Sequence, residues 1–259
     1  MRVLAVFEKE ILEIIKNKLL LFGLVPLPLI FVAIPLVFVY FTGDAPVEPK
    51  EAEIYLRLSP AFANMDPRIV AQVVMVGQFM FLMLLTPVMV PMTIAAFSVI
   101  GEKQARSLEP LLATPIRTWE LLLGKSLAAT VPAVAVTWLS YAILLLGMAI
   151  LANPVVFAAA ASGMWILAML VIAPLLAVFA VNLGVLISSR VNDTRVAQQI
   201  GGVVVLPFIA LGMAQTLGWI LYSLPMFVAG AAFIALLDVA VLMAAVKLFR
   251  RETILTRWK

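Results

Sequence analysis

Residues 100–125 read IGEKQARSLEPLLATPIRTWELLLGK, and they form the longest segment of this chain that is both charged and patterned. Ser107 suits a helix N-cap, and Glu109 places an anion in the first turn, where the helix dipole favours it. Thr114 and Pro115 suit a second helix start, with Thr as the cap and Pro as the first helical residue. The apolar positions of the first piece share one face: Leu108, Leu111 and Leu112. The pattern predicts two short amphipathic helices lying at a membrane surface.

The composition is that of a membrane protein. Of the 259 residues, 64% are hydrophobic and 12% are charged, whereas soluble domains are about 45–50% apolar and about 25% charged. The chain contains neither Cys nor His, which excludes thiol and histidine nucleophiles and zinc sites built from these residues, so no cofactor or metal is predicted. It also contains no P-loop motif, so any ATP-driven role requires a separate ATPase subunit.

Six apolar runs are long enough, or nearly so, to cross a bilayer core of about 30 Å. Their predicted bounds are 19–41, 69–100, 127–152, 165–188, 201–217 and 227–248. Residues 1–18 precede them and carry apolar side chains at helical spacing, which is typical of an interfacial helix. The fold class is therefore predicted to be all-α, a single polytopic membrane domain over residues 1–259.

The positive charges predict the orientation of the chain. Of the 18 Lys and Arg residues, 15 fall on the side of the termini and 3 on the other side, all three of them in residues 42–68. Because cytoplasmic segments of membrane proteins carry the excess of Lys and Arg, both termini, the 100–125 segment and the 189–199 loop are predicted to be cytoplasmic. The net charge of +4 is explained by orientation, and no nucleic-acid partner is predicted.

The 100–125 segment resembles the cytoplasmic loop of ABC-2 type transporter permeases, which joins their second and third membrane helices. The resemblance is carried by Glu102-Lys103, RSLE at 106–109, LLATPI at 111–116, Glu120 and Gly124-Lys125. It implies an elbow helix at residues 1–18 and a coupling helix that docks on a separate ATP-binding cassette ATPase. It also implies pairing with a second permease chain. The residues implied in ATPase coupling are Glu102, Arg106, Ser107, Leu108, Glu109, Leu111, Leu112, Thr114 and Pro115. An amphipathic loop with no partner is the alternative.

Asp238 is the only acidic residue inside any predicted span, and it lies near the middle of 227–248. A charged carboxylate at the bilayer centre is costly, so its side chain is expected to face protein or water. One hypothesis places it on the transport path or at the interface between two permease chains. The alternative is a hydrogen-bonded packing residue with no role in transport. The candidate partners of its carboxylate are polar groups on other spans, such as Gln72, Gln78, Asn182 or Gln215, or a group on a second copy of the chain.

Together these features predict the permease subunit of an ATP-driven ABC transporter, expected to be an exporter, in the plasma or inner membrane. The chain itself is predicted not to be an enzyme, and its partners are an ATPase subunit, a second permease chain and membrane lipid. Two alternatives stay open: an ion-gradient-driven transporter or channel, and a membrane assembly factor that transports nothing. No spacing in the sequence selects a substrate.

Overall fold

The computed structural model describes residues 2–18, 25–42, 62, 65–104, 118–217, 219–220 and 222–248. These residues are predominantly helical and contain no β-strand, which confirms the all-α fold class. In chain order the helices are α1 Arg2–Lys16, α2 Pro26–Thr42, α3 Pro67–Met83, α4 Thr86–Gln104, α5 Thr118–Leu151, α6 Pro154–Ala160, α7 Gly163–Leu167, α8 Ala173–Arg190, α9 Thr194–Gly202, α10 Val205–Thr216 and α11 Leu224–Leu248.

Five helical stretches in the described part of the chain are long and apolar enough to cross a membrane. They are Pro67–Ser98, Leu123–Leu151, Pro154–Ser188, Thr194–Gln215 and Leu224–Met243, and they overlap the second to sixth predicted spans. The predicted first span is represented by α2, which is apolar but has 17 residues. That length is about 26 Å, somewhat short of the bilayer core. Residues 19–24 of that span lie outside the described residues.

Two spans begin well before their predicted starts, at Pro154 instead of 165 and at Thr194 instead of 201, and both starts are capped. The Asn153 side chain accepts a hydrogen bond from the Val155 backbone N–H, 3.0 Å away, so a helix already starts at Pro154. The Asp193 side chain accepts from the Arg195 backbone N–H at 2.6 Å, which extends helix into the predicted 189–199 loop. Each cap satisfies an amide that the first turn would otherwise leave unpaired.

The fourth span is irregular just before its proline. A π-helical turn, Ala168–Ile172, joins α7 to α8, and Pro174 follows it in the first turn of α8. Proline has no backbone N–H to donate, so a regular helix cannot continue unchanged through it, and a local π-turn is one way to accommodate the mismatch. The fourth span thus accommodates Pro174 without ending the helix.

The bundle is centred on α4 and α8, which pack along each other and also contact α5. A Cβ added at Gly184 of α8 would lie 3.1 Å from the Ala95 Cβ and 3.2 Å from the Met92 carbonyl oxygen on α4. Small residues therefore let the two backbones approach closely, as is common where apolar lipid gives helices little reason to associate. One buried apolar cluster of the bundle includes the fully buried side chains Met80, Leu144, Met148 and Met169.

Helix α1 has two apolar surfaces with different surroundings. Val6, Glu10 and Ile14, spaced four residues apart, are buried against the bundle, chiefly on α5. Leu4, Leu12 and Ile15 are each more than half exposed. The sequence predicts one apolar face, whereas the structure divides those apolar residues between a surface packed on protein and an outward surface.

Candidate functional site

The ends of the predicted coupling loop are defined by α4, which ends at Gln104, and α5, which begins at Thr118. Glu102 lies in the last turn of α4, but its side chain is outside the described residues. Outside the described residues altogether lie Arg106, Ser107, Leu108, Glu109, Leu111, Leu112, Thr114 and Pro115. The predicted coupling helix therefore stays a prediction, while the surroundings of the loop's two stems are well defined.

The loop stems, α1 and the turn between α8 and α9 lie together at one end of the bundle. The Gln104 side-chain amide donates to the Asn192 carbonyl oxygen at 3.1 Å, which joins the end of α4 to that turn. One and two turns before Gln104 on α4, Ile100 and Ala96 pack with Ala197 of α9. The loop stems, α1 and the turn between α8 and α9, which carry many of the Lys and Arg residues of the chain, are thus neighbours in space.

A buried ion cluster, formed by Glu10, Ser98 and Lys125, connects α1 to both stems. Lys125 Nζ donates to Glu10 Oε1 at 2.7 Å and to Ser98 Oγ at 2.7 Å. Ser98 Oγ in turn donates to Glu10 Oε2 at 2.7 Å. Glu10 is 3% exposed and Lys125 is 7% exposed. Both carboxylate oxygens are bonded, which is the condition under which a buried charge is tolerated.

The carboxylate of Glu10 is held in its ionised form. Burial alone would raise the pKa of its carboxyl group, but the charge of Lys125 and the hydrogen bonds from Lys125 and Ser98 outweigh burial. The pKa of Glu10 therefore lies below its ordinary value of 4.5. Lys9 adds a more exposed contact at 3.2 Å. At neutral pH the cluster is an ion pair with a bridging hydroxyl.

Gly124 explains how α1 comes close enough for this pairing. A Cβ at Gly124 would lie 2.7 Å from the Val6 Cβ and 3.1 Å from the Val3 carbonyl oxygen, so only a glycine leaves room for α1 here. Lys125 follows Gly124 directly in the chain, and Glu10 lies one turn after Val6. The close approach and the ion pair are therefore parts of the same helix contact.

Sequence reasoning included Lys125 in the loop pattern but missed its partners, Glu10 and Ser98. One signal was present: a glutamate occupies the middle of the series Val6, Glu10 and Ile14, which shares one helix face with apolar neighbours. A charged residue at the centre of an apolar face indicates a buried partner, although it does not reveal which residue that partner is.

Asp238 lies on α11, which packs against α8, and it is 9% exposed. Burial of this residue agrees with the expectation that it faces protein. Neither of its carboxylate oxygens has a hydrogen-bond partner among the described residues. None of the four candidate partners on other spans, Gln72, Gln78, Asn182 and Gln215, bonds to it. Gln72 instead donates to Thr42 Oγ1 at 3.1 Å and joins α3 to α2.

An aromatic-walled cavity of about 210 Å³ lies between α3, α6, α7, the end of α10 and Tyr222. Tyr222 stacks on Phe81, with ring centroids 4.7 Å apart, and meets Trp165 edge to face. The Tyr222 hydroxyl and the Gln215 amide oxygen are buried without a hydrogen-bond partner in the described part of the chain. The described lining carries no charged side chain, so the space suits an uncharged group.

Taken together, the long apolar helices and their packing define a multi-pass membrane protein. The family model described as ABC-2 family transporter protein matches residues 4–250, so the chain belongs to that family of ABC transporter permeases. A comparison with curated proteins finds no match. The resemblance noted in the 100–125 segment is confirmed at the level of the family, and the match extends over nearly the whole chain.

Proposed function

We propose that this chain is the permease subunit of an ATP-driven ABC exporter in the plasma or inner membrane. The observation that carries the proposal is the family match over residues 4–250. Because the sequence contains no P-loop motif, hydrolysis belongs to a separate ATP-binding cassette subunit, and this chain supplies the path and the moving element. Two permease chains pair with two ATPase subunits, and the chain itself is not an enzyme.

Coupling is assigned to the segment between α4 and α5, which docks on the ATPase. The bonded cluster at the base of the two stems and the neighbouring α8–α9 turn support this assignment, since they give the loop a firm attachment to the bundle. The predicted first span, 19–41, together with the five long apolar helices gives six spans, and both termini share the cytoplasmic side with the loop. The lopsided distribution of Lys and Arg supports that orientation.

The decisive experiment replaces Leu111 and Leu112 together by Asp. Two charges on the apolar face of the loop should release the ATPase subunit during purification in mild detergent, while the spans still insert because the loop lies outside the lipid. A matched control places the same change at Leu56 and Leu58, in the segment predicted to face the opposite side. Retention of both ATPase binding and ATPase-driven transport by the Leu111/Leu112 variant would reduce the loop to a connector.

Orientation is tested separately with a reporter that is active only in the cytoplasm. Fusions after residue 259 or within 103–107 should be active, and a fusion within 44–53 should be inactive. The reverse pattern would remove the docking proposal, because the loop would then face away from any cytosolic ATPase.

A further inference from the structure

We propose that Glu10, Ser98 and Lys125 are positioning residues that join both stems of the 105–117 loop to α1, so that movement of the loop is carried into the bundle as one unit. The inference rests on the proposed function, because an ATPase must engage the loop to move it. It goes further by naming the residues that transmit the movement.

The ion cluster lies close to both ends of the loop. Ser98 lies within about two turns of the end of α4, and Lys125 lies within about two turns of the start of α5. The ion cluster therefore closes the base of the loop, and it adds α1 as a third helix at the same point. Any displacement of one stem relative to the other has to break at least one of three contacts of 2.7 Å.

The ion cluster restrains the helices through directional hydrogen bonds, which apolar packing does not provide. A buried ion pair is often no more stabilising than well-packed apolar residues of similar volume, so stability alone does not account for one. Short charge-assisted hydrogen bonds depend on direction and fix the register between helices, whereas apolar surfaces can slide. The closed arrangement of carboxylate, hydroxyl and ammonium group fixes three helices along their axes.

The ion cluster is connected to the rest of the bundle through apolar packing. Ile14, Ile94 and Ala129 lie one turn from Glu10, Ser98 and Lys125 on the same helices, and with Val181 of α8 they belong to one buried apolar cluster. Helix α5 has 34 residues, which corresponds to about 51 Å of helix. At its far end Gly147 packs against Leu36 of α2. In this proposal a push at the base of α5 passes Pro132 and reaches α2 through this contact.

The test uses the full chain with the ATPase that co-purifies with it. The chain has no native Cys, so cysteines introduced at the exposed positions Phe41 and Leu224 take spin labels cleanly. The distance between the labels is measured with and without a non-hydrolysable ATP analogue. Four backgrounds are compared: unchanged, Lys125→Met, Glu10→Gln with Lys125→Met, and the exposed-lysine control Lys16→Met.

The double variant separates transmission from structure. It removes both charges and leaves no unpaired ion, so its melting temperature should return close to that of the unchanged chain, with the ATPase still bound. We expect it to lose the nucleotide-dependent change in label distance, which the unchanged chain and Lys16→Met retain. A double variant that keeps the full change would overturn the inference and leave the ion cluster a structural contact.

Two other results would also decide the question. If the unchanged chain binds no ATPase or shows no nucleotide-dependent change, the proposed function fails and the inference fails with it. If the double variant does not fold, Ser98→Ala replaces it, since this change keeps the ion pair and removes the bridge to α4. We then expect the distance change to shrink by at least twofold, and an unaltered change would overturn the inference.

Discussion

Glu10 and Asp238 are both acidic side chains buried in the helical bundle, and they differ in what surrounds the carboxylate. Glu10 accepts hydrogen bonds from Lys125 and Ser98 at 2.7 Å each. Asp238 is 9% exposed, and neither of its oxygens is bonded among the described residues. The difference teaches that burial alone does not define a role. The contacts of Glu10 are completed within one chain, whereas the carboxylate of Asp238 is left for a proton, water, a substrate or a second chain to satisfy.

The largest effect is expected when the partner of Glu10 is removed. Lys125→Met keeps the length of the side chain but leaves the Glu10 carboxylate buried without its cation, which should cost about 3–5 kcal/mol in the free energy of unfolding. Thermal unfolding in detergent should show a clear fall in melting temperature. Lys16→Met, at the exposed end of α1, should change stability by no more than about 0.5 kcal/mol. Equal melting temperatures for the two variants would mean that the ion pair is not formed in the membrane.

Replacing Asp238 by an apolar residue should raise the stability of the chain, whereas replacing Lys125 should lower it. An Asp near the centre of a membrane helix costs about 2.5–3.5 kcal/mol on insertion scales, so Asp238→Leu should favour insertion and raise the melting temperature of the purified chain. The isosteric Asp238→Asn variant is the control for shape. A fall in stability of the purified chain on both changes would show that the carboxylate has a bonding partner within it, beyond those seen among the described residues.

Gly124→Ala tests the close approach that brings the charges of the ion cluster together. The added methyl group would lie 2.7 Å from the Val6 Cβ, an atom fixed to the α1 backbone, so α1 must move and the cost should be about 1–3 kcal/mol. The matched control is Gly230→Ala on α11, where no described atom outside the helix's own backbone lies within 4 Å of the added group. There alanine should be neutral or stabilise the helix by up to about 1 kcal/mol. Similar behaviour of the two variants would contradict the α1–α5 contact.

The smallest expected effect is the pH dependence of the stability that the Glu10 charge contributes. Since the folded-state pKa of Glu10 lies below 4.5, its charge contributes stability that is fully present above about pH 4.5 and is lost as the pH falls through the lowered pKa. The difference in melting temperature between the unchanged chain and Glu10→Gln should therefore be constant from pH 8 to pH 5 and shrink below pH 4.5. A difference that already shrinks between pH 7 and pH 6 would mean that the pKa is raised instead.

The parts of this molecule that were predictable from sequence are those governed by local physics. Uninterrupted apolar runs indicated the five long spans, and the single acid within them indicated a buried Asp238. The ion cluster was not predictable in the same way, because Glu10 and Lys125 are 115 residues apart and each resembles an ordinary charge at a membrane surface. Only tertiary packing, with Gly124 allowing α1 to approach, brings them together. The loop residues from Arg106 to Pro115 stay a sequence prediction.

The separation of Glu10 from Lys125 along the chain also sets an order of assembly during synthesis. At about 5–20 residues per second, the 115 residues between them take roughly 6–23 seconds to be added. Throughout that interval Glu10 has no access to its buried cation, so the carboxylate has to stay hydrated and α1 stays outside the bundle. Helix α1, although it is made before the spans, can complete its docking only after the third predicted span has begun to emerge.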